Sequence, residues 1–283
     1  TTQKVIEDGD GNPFPFSAAQ DAILMTGTSR IEFNDAGEYI SGNGTDLTIS
    51  SGNDIVFALG AAGSVYHTGD GGTSNTIYGK NAGDTLASGG NYNAFFGEDA
   101  GTANTTGDSN VAVGYLALGA NNTATGGVAV GANALDANTT GARNTAVGQD
   151  ALGTNTEGND NVAIGNSALE SNLTGSDNVA IGRVALNANT ASNNIGIGKD
   201  ALAANTIGNT NVAIGTDAMT TNVAADRNVA VGEQALQNMT AASTTDTYNT
   251  AVGYNAGLAV NSGSSNTLIG GLSGKAITTG TSN

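Results

Sequence analysis

The chain has 283 residues, of which 43 are Gly and only 12% are charged, and it contains no Cys or Trp. Its formal net charge of −17 predicts repulsion from nucleic acid and from anionic lipid, so neither is an expected partner. No apolar stretch approaches the roughly 20 residues that cross a bilayer, and insertion into a membrane is therefore not expected. The aliphatic residues recur at fixed positions, which argues against disorder.

Two segments precede the repetitive part of the chain. Residues 1–27 are predicted to form an extended linking segment, because Pro13 and Pro15 disfavour helix locally, and only one helical turn is expected over 20–25. Residues 28–73 alternate short apolar runs with Gly, Asn and Asp turns, which predicts a small domain of strands and turns.

The most regular feature of the chain lies in residues 74–283, where the motif Asn-(Val/Thr/Ile)-Ala-(Val/Ile)-Gly-x-x-Ala-Leu recurs. Successive repeats are between 16 and 21 residues apart, and most are 17 apart. A period this short predicts a solenoid in which each repeat is one coil stacked on the last. The closing glycines of the twelve repeats are Gly79, Gly97, Gly114, Gly131, Gly148, Gly165, Gly182, Gly198, Gly215, Gly232, Gly253 and Gly270.

The repeat positions, counted from the Asn, suggest which side chains build the core. Residues i and i+2 of a strand share a face, so we expect the large apolar position 4 and the mostly Val position 2 to form the inner wall. Position 9, which is Leu in most central repeats and Met at Met219, is expected to close the core from the opposite wall.

Position 3 is small through nine consecutive repeats, which is unexpected on a strand face that meets solvent. We interpret this column as the contact between identical solenoids in a homotrimer, with bulkier Ile77, Phe95 and Leu268 at the ends. A tight corner within one chain is the alternative. The column comprises Ala112, Ala129, Ala146, Ala163, Ala180, Gly196, Ala213, Ala230 and Ala251.

Recurring Asn residues are predicted to lie at the corners of the coils. Stacked Asn side chains can form hydrogen-bonded ladders, and Asn and Gly accept the left-handed backbone that corners use. Seventeen residues suit two short strands and two turns, or a three-sided coil with short sides. Because parallel coils stack ~4.8 Å apart, twelve of them would make a rod on the order of 60 Å long.

These motifs resemble two known families. Asn161-Val-Ala-Ile-Gly165 is similar to the repeats of trimeric autotransporter adhesin heads, which implies a trimer of left-handed parallel β-rolls. Asn249-Thr-Ala-Val-Gly-Tyr-Asn-Ala-Gly257 more closely resembles the repeats of bacteriophage tail-fibre proteins. Adhesin-head repeats are shorter than 17 residues, and no heptad stalk or anchor barrel is visible, so the phage family is preferred.

The sequence offers little for catalysis. His67, the sole His, has no evident carboxylate or nucleophile partner, and without Cys neither a zinc site nor a usual nucleophile–His pair can be assembled. Asp8-Gly-Asp10-Gly-Asn12 has calcium-loop spacing, but Ala19 stands where the loop needs Glu, so an acidic turn is preferred and calcium stays an alternative. No catalytic, cofactor-binding or metal residue is therefore predicted, and the chain is not expected to be an enzyme.

The functional prediction is an all-β structural protein, the rigid shaft of a phage tail fibre in the virion, which projects a receptor-binding element. Its expected partners are further copies of itself, other tail or fibre proteins at its ends, and a host surface glycan. A bacterial surface adhesin or an extracellular filament subunit is the alternative. A polysaccharide-cleaving spike is disfavoured, because the carboxylates are dispersed over turns without a recurring pair.

Overall fold

The structure is a computed structural model, and it describes residues 16–19, 22–25, 72–240 and 244–283. The chain divides into two units, residues 1–62 and 63–283. In the first unit, strands β1 (Phe16–Ala19) and β2 (Ala22–Met25) pair antiparallel. The helical turn expected over 20–25 is therefore wrong for residues 22–25, which are a strand. The small domain predicted over 28–73 lies outside the described residues, apart from residues 72 and 73.

The second unit is a parallel β-solenoid, as the repeat predicts. One three-residue strand from each coil joins a twelve-stranded sheet, and each strand pairs in parallel register with the equivalent strand of the next coil. The strands of this sheet are β3 (Thr76–Tyr78), β4 (Ala94–Phe96), β5 (Val111–Val113), β6 (Val128–Val130), β7 (Thr145–Val147), β8 (Val162–Ile164), β9 (Val179–Ile181), β10 (Ile195–Ile197), β11 (Val212–Ile214), β13 (Val229–Val231), β15 (Thr250–Val252) and β16 (Thr267–Ile269).

The only additional strands of the described solenoid lie in the coil of 21 residues and in the coil that precedes it. β12 (Ala225–Asp226) and β14 (Thr245–Asp246) pair in parallel beside the main sheet. No described residue of either unit is in a helix.

The wall opposite the sheet is built from turns and not from the second short strand of the two-stranded coil, which was one of the two arrangements that we expected. Leu at position 9 has a left-handed backbone, with φ of 53° at Leu118 and 55° at Leu169, and such a conformation cannot continue a strand. Turn residues still form hydrogen bonds between coils: the Leu118 N–H donates to the Ala134 carbonyl at 3.0 Å. Each left-handed residue costs about 1–2 kcal/mol, and burial of the Leu side chain opposes that cost.

The core is made by positions 3, 8 and 9, so our assignment of the strand faces was wrong. From the second coil onward the position-3 residues are buried within their own chain, and so are the Ala of position 8 and the Leu of position 9; in the first coil Ile77 and Ala82 are half-buried. Positions 2 and 4 point outward. The position-3 residues therefore cannot form the predicted contact with a partner: Ala112, Ala129, Ala146, Ala163, Ala180, Gly196, Ala213, Ala230 and Ala251 all lie inside the coil.

The sizes of positions 3 and 9 compensate each other across the coil. Where position 3 is Ala, position 9 is usually Leu or Met; where position 3 is Phe95, position 9 is Gly101, and a Cβ on that glycine would lie 2.6 Å from the Phe95 ring. Leu268 is likewise matched by Gly274, whose added Cβ would lie 2.7 Å from it. Position 3 is small because a Leu side chain from the opposite wall already fills the space between the two walls of the coil.

Buried Asn side chains form two ladders along the inside of the solenoid. At position 1 the side-chain oxygen accepts a hydrogen bond from the backbone N–H of the next coil's Asn, as from Asn178 to Asn161 at 3.0 Å. At the far corner Asn155 donates to Asn138 at 2.9 Å, which confirms the predicted ladder. The corner ladder breaks at the 16-residue coil, where the buried Asn172 Oδ1 has no hydrogen-bond partner.

Close approach between coils, not a left-handed backbone, accounts for the turn glycines. Gly158 is not in the positive-φ region, but a Cβ there would lie 2.3 Å from the Gly175 carbonyl oxygen. The turn glycines of the coils are therefore not the left-handed residues that we expected at the corners: Gly107, Gly141, Gly158, Gly175, Gly208 and Gly263. The closing glycines of the motif do have that conformation, with φ of 136° at Gly165.

Candidate functional site

The outward side of the twelve-stranded sheet is the most distinctive surface of the described solenoid. Positions 2 and 4 of every strand lie on it; position 2 is half-buried in all strands but the last, and position 4 is half-buried or exposed. Val, Ile and Thr predominate, and no member of either column is charged although the chain has a net charge of −17. A continuous apolar stripe of this kind typically marks an interaction surface in a soluble protein.

Aromatic side chains change the stripe at its N-terminal end. Tyr78 and Phe96 occupy position 4 in β3 and β4, and their rings stack with centroids 5.6 Å apart. Tyr78 is 51% exposed. In the middle of the solenoid the same column contains only Val and Ile, so the stripe has distinguishable ends.

Two columns of polar and charged residues border the apolar stripe. One column precedes the motif Asn and the other follows the closing Gly; we call them the first rim and the second rim. Both are exposed in every coil where they carry a charge. The first rim comprises Ser74, Tyr92, Ser109, Gly126, Arg143, Asp160, Asp177, Asn193, Thr210, Arg227, Tyr248 and Ser265. The second rim comprises Lys80, Glu98, Tyr115, Ala132, Gln149, Asn166, Arg183, Lys199, Thr216, Glu233, Tyr254 and Gly271.

Ion pairs run along these rims from one coil to the next. Arg143 Nε donates to Asp160 Oδ1 at 2.6 Å, and this hydrogen bond lowers the pKa of the Asp160 carboxyl. Lys80 pairs with Glu98 at 3.2 Å. All of these side chains are exposed, so solvent screens the pairs and each adds little to stability.

A small polar cluster lies beside the 21-residue coil. Arg227 forms an ion pair with Asp246, which also accepts a hydrogen bond from the Tyr248 hydroxyl at 2.8 Å. The Arg227 guanidinium lies 5.9 Å from the centroid of the Tyr248 ring. Asp246 is the largest cause of the raised pKa of Arg227. The charges of Arg227 and Asp246 are paired with each other, so the cluster has no unpaired charge that would bind a ligand.

The residues considered for chemistry in the sequence are mostly outside the described part of the chain. His67 and the Asp8–Asn12 loop both lie there. Within the described ranges, no group of three or more His, Cys, Asp or Glu side chains could hold a metal ion. No helix in those ranges is long and apolar enough to span a membrane. The absence of catalysis stays a prediction.

A pattern in the sequence, which we missed, indicates which strand positions face outward. Bulky residues at position 3 coincide with Gly at position 9, as in Phe95 with Gly101 and Leu268 with Gly274. Such compensation requires the two positions to face each other, so it would have placed position 3 inside and positions 2 and 4 outside.

Comparison with known proteins does not assign the chain to a group. No family model, no curated protein and no solved structure matches it.

Proposed function

We propose that residues 74–283 form the structural shaft of a phage tail fibre, a rigid homotrimeric spacer that projects a host-receptor-binding element and performs no catalysis. The observation that carries the proposal is the unbroken parallel sheet of twelve strands. Every coil is hydrogen-bonded to the next, so the unit has a fixed length of about 60 Å at ~4.8 Å per coil. Fixed length is what a spacer needs.

The distribution of aromatic residues supports a spacer with contacts at its ends. Aromatic side chains are often used to bind sugar rings and protein partners. None occurs from residue 116 to 247. The exposed aromatics of the described solenoid are near its two ends: Tyr78, Tyr92, Phe96, Tyr115, Tyr248 and Tyr254. Other tail or fibre proteins and a host surface glycan would bind there.

Electron microscopy of virions tests the shaft function directly. Gold-labelled antibodies against the repeat region should bind along the tail fibres of phage particles that carry this protein. Duplicating the two coils that contain Asn161 and Asn178 should lengthen those fibres by roughly 10 Å, since each coil adds ~4.8 Å. Labelling confined to non-fibre structures, or a fibre length that does not change, would refute the proposal.

A bacterial surface adhesin or extracellular filament subunit is the second candidate. The motif Asn161-Val-Ala-Ile-Gly165, which resembles adhesin-head repeats, is the observation that favours it. The same antibodies would then label intact bacterial cells or their filaments in a culture free of phage particles. A genomic neighbourhood of secretion and anchor genes, in place of baseplate and capsid genes, would give the same answer.

A further inference from the structure

We propose that the solenoid bends at one fixed place, the far corner of the 16-residue coil, where the corner opens while the main sheet stays paired. This coil comprises residues 178–193, and the coil before it comprises residues 161–177. The inference goes beyond the proposed shaft function, since it concerns how a single solenoid moves and not which particle carries it.

The 16-residue coil lacks one residue in the turn that follows its corner Asn. The preceding coil reads Asn172-Leu-Thr-Gly-Ser-Asp-Asn178 over this stretch, whereas the 16-residue coil reads Asn189-Thr-Ala-Ser-Asn-Asn194. The spacing from the motif Asn to the corner Asn is the same in both coils, so the strand and the Leu wall keep their usual positions. The shortening is therefore confined to the far corner.

The ladder of Asn side chains stops at this corner. Asn172 Nδ2 donates to Asn155 Oδ1 at 2.9 Å, but the buried Asn172 Oδ1 receives no hydrogen bond from the next coil. The side chain that would supply it, Asn189, instead donates to the Ala191 carbonyl at 2.8 Å. A buried acceptor without a donor is unfavourable, and opening of the corner would let water reach it.

Two further rows of hydrogen bonds stop at the same corner. One coil earlier, the Thr156 N–H and the Thr156 hydroxyl both donate to the Leu173 carbonyl, at 2.9 and 3.1 Å. The N–H groups of Leu173 and Thr174 have no acceptor among the described residues, and Leu173 has no hydroxyl to continue the second row. No hydrogen bond therefore joins residues 172–175 to the 16-residue coil.

The two coils stay joined on both sides of the corner. β8 and β9 pair in register over all three residues, and the Ser171 N–H donates to the Asn187 carbonyl at 2.9 Å. After the corner, the Ser176 N–H donates to the Ser192 hydroxyl at 3.0 Å. The interruption is therefore local, and separation at the corner does not require the main sheet to part.

A solenoid opens where neighbouring coils hold each other least, because each coil contacts only the coils next to it. At the corner of Asn172 the coils can move apart without breaking a hydrogen bond. The sheet keeps its ~4.8 Å spacing during this motion, so the coils on either side tilt relative to each other. The axis changes direction there while the length along the sheet stays fixed.

Unusual coil length alone does not create such a place. The 21-residue coil also interrupts the corner ladder, but Asn222 Oδ1 accepts a hydrogen bond from the Ala225 N–H at 3.1 Å. In addition, Ala225–Asp226 pairs in parallel with Thr245–Asp246 of that coil. The corner of the longer coil is therefore closed by other bonds, and we expect bending at the 16-residue coil only.

Distances between spin labels test the bend, since the chain has no Cys of its own. In Thr140→Cys/Ile207→Cys, both labels lie on the corner side, four coils apart, and they span the 16-residue coil. The matched control Ser88→Cys/Glu157→Cys also spans four coils but lies before it, and all four residues are exposed. Both pairs should be about 19 Å apart in a straight solenoid. We expect the spanning pair to give a broader distribution with a shift to longer distances; labelled full-length chains are diluted with unlabelled ones to exclude distances between molecules.

Insertion of one Gly between Ala191 and Ser192 should remove the bend. The corner then reads Asn-Thr-Ala-Gly-Ser-Asn-Asn, which matches the preceding coil and restores the position from which Asn189 can donate to Asn172. We expect the spanning distribution to narrow to the width of the control. The Leu173 amide should also exchange its hydrogen roughly two- to tenfold more slowly, as expected for one gained hydrogen bond.

Equal distributions for the two label pairs in the parent chain would overturn the proposal. A spanning distribution that the insertion leaves unchanged would overturn it too. If circular dichroism shows that the insertion unfolds the protein, the comparison of the two pairs in the parent chain decides alone. Antibody labelling of virions does not depend on the bend, so the shaft function and the bending point can fail independently.

Discussion

The two sides of the main sheet differ more than any other regions of the described solenoid. On the inner side, Ala163 is fully buried against the opposite wall of its own coil. On the outer side, the neighbouring Ile164 is 39% exposed, although every residue of its column is apolar or aromatic. Alternation places adjacent residues on opposite faces, but it does not say which face is inside. In this coil the smaller residue, Ala163, faces the interior, because the Leu169 side chain from the opposite wall occupies the space between the two walls.

Ala163→Phe should have the largest effect, since it changes the inner side. The buried site has no room for a ring, and overpacking a core typically costs about 1–3 kcal/mol or more. We expect a marked fall in the thermal unfolding temperature, measured by circular dichroism, with no dependence on protein concentration.

The matched variant Ala163→Phe/Leu169→Gly reproduces the pairing of Phe95 with Gly101. It should recover part of the lost stability, although Leu152 in the preceding coil still restricts the ring. Were the single variant as stable as the parent chain, position 3 could not be inside the coil.

Ile164→Asp should act on the outer side and leave the coil intact. An Asp in the apolar stripe would be buried without a partner when two copies associate, and an unpaired buried charge is strongly unfavourable. We expect sedimentation to show loss of association, while the circular dichroism spectrum of the dilute protein stays unchanged. Glu157→Gln, an exposed change outside the stripe, is the control and should associate normally. A variant that unfolds instead would show that position 4 supports the fold of the single chain.

Much of this fold could be predicted from the sequence. The strict spacing of the closing glycines determined the parallel solenoid, because only stacked coils place equivalent residues at equal intervals. The Asn columns likewise predicted the ladders. The size of the side chains alone does not show which side of the strand is buried, because the larger Ile164 faces outward where Leu169 already occupies the interior. The left-handed backbone of Leu169 was also unexpected, since Leu seldom adopts it and only burial in the coil compensates.

Substitutions at the adjacent glycines should have a smaller effect, and they compare a buried position, Gly127, with an exposed one, Gly126. Gly127 interrupts the inner Asn ladder, and the Asn144 backbone N–H has no acceptor among the described residues, unlike the equivalent N–H of the next coil, Asn161. Gly127→Asn would supply that acceptor, and a hydrogen bond contributes about 0.5–1.5 kcal/mol. We expect a higher unfolding temperature and slower hydrogen exchange of the Asn144 amide. Gly126→Asn, on the exposed first rim, should leave that amide unchanged; equal protection in both variants would contradict the ladder.

Asp136 should give the smallest effect, because it lies in the turns next to Leu135, away from the main sheet, and is only half-buried. Burial, with a smaller contribution from Asp150, raises the pKa of its carboxyl in the folded chain. The folded state therefore binds the proton more tightly than the unfolded state, and this group contributes most favourably when protonated. Its contribution weakens as the pH rises from the unfolded pKa through the folded one.

Asp136→Asn removes the ionisation while keeping an acceptor for the Ala137 N–H. We expect a gain in unfolding free energy at pH 7 of less than about 1 kcal/mol, since solvent screens a half-exposed group. The gain should vanish in acid, where the native carboxyl is protonated. If the gain did not depend on pH, the difference in stability between the Asn variant and the parent chain would come from packing and not from charge.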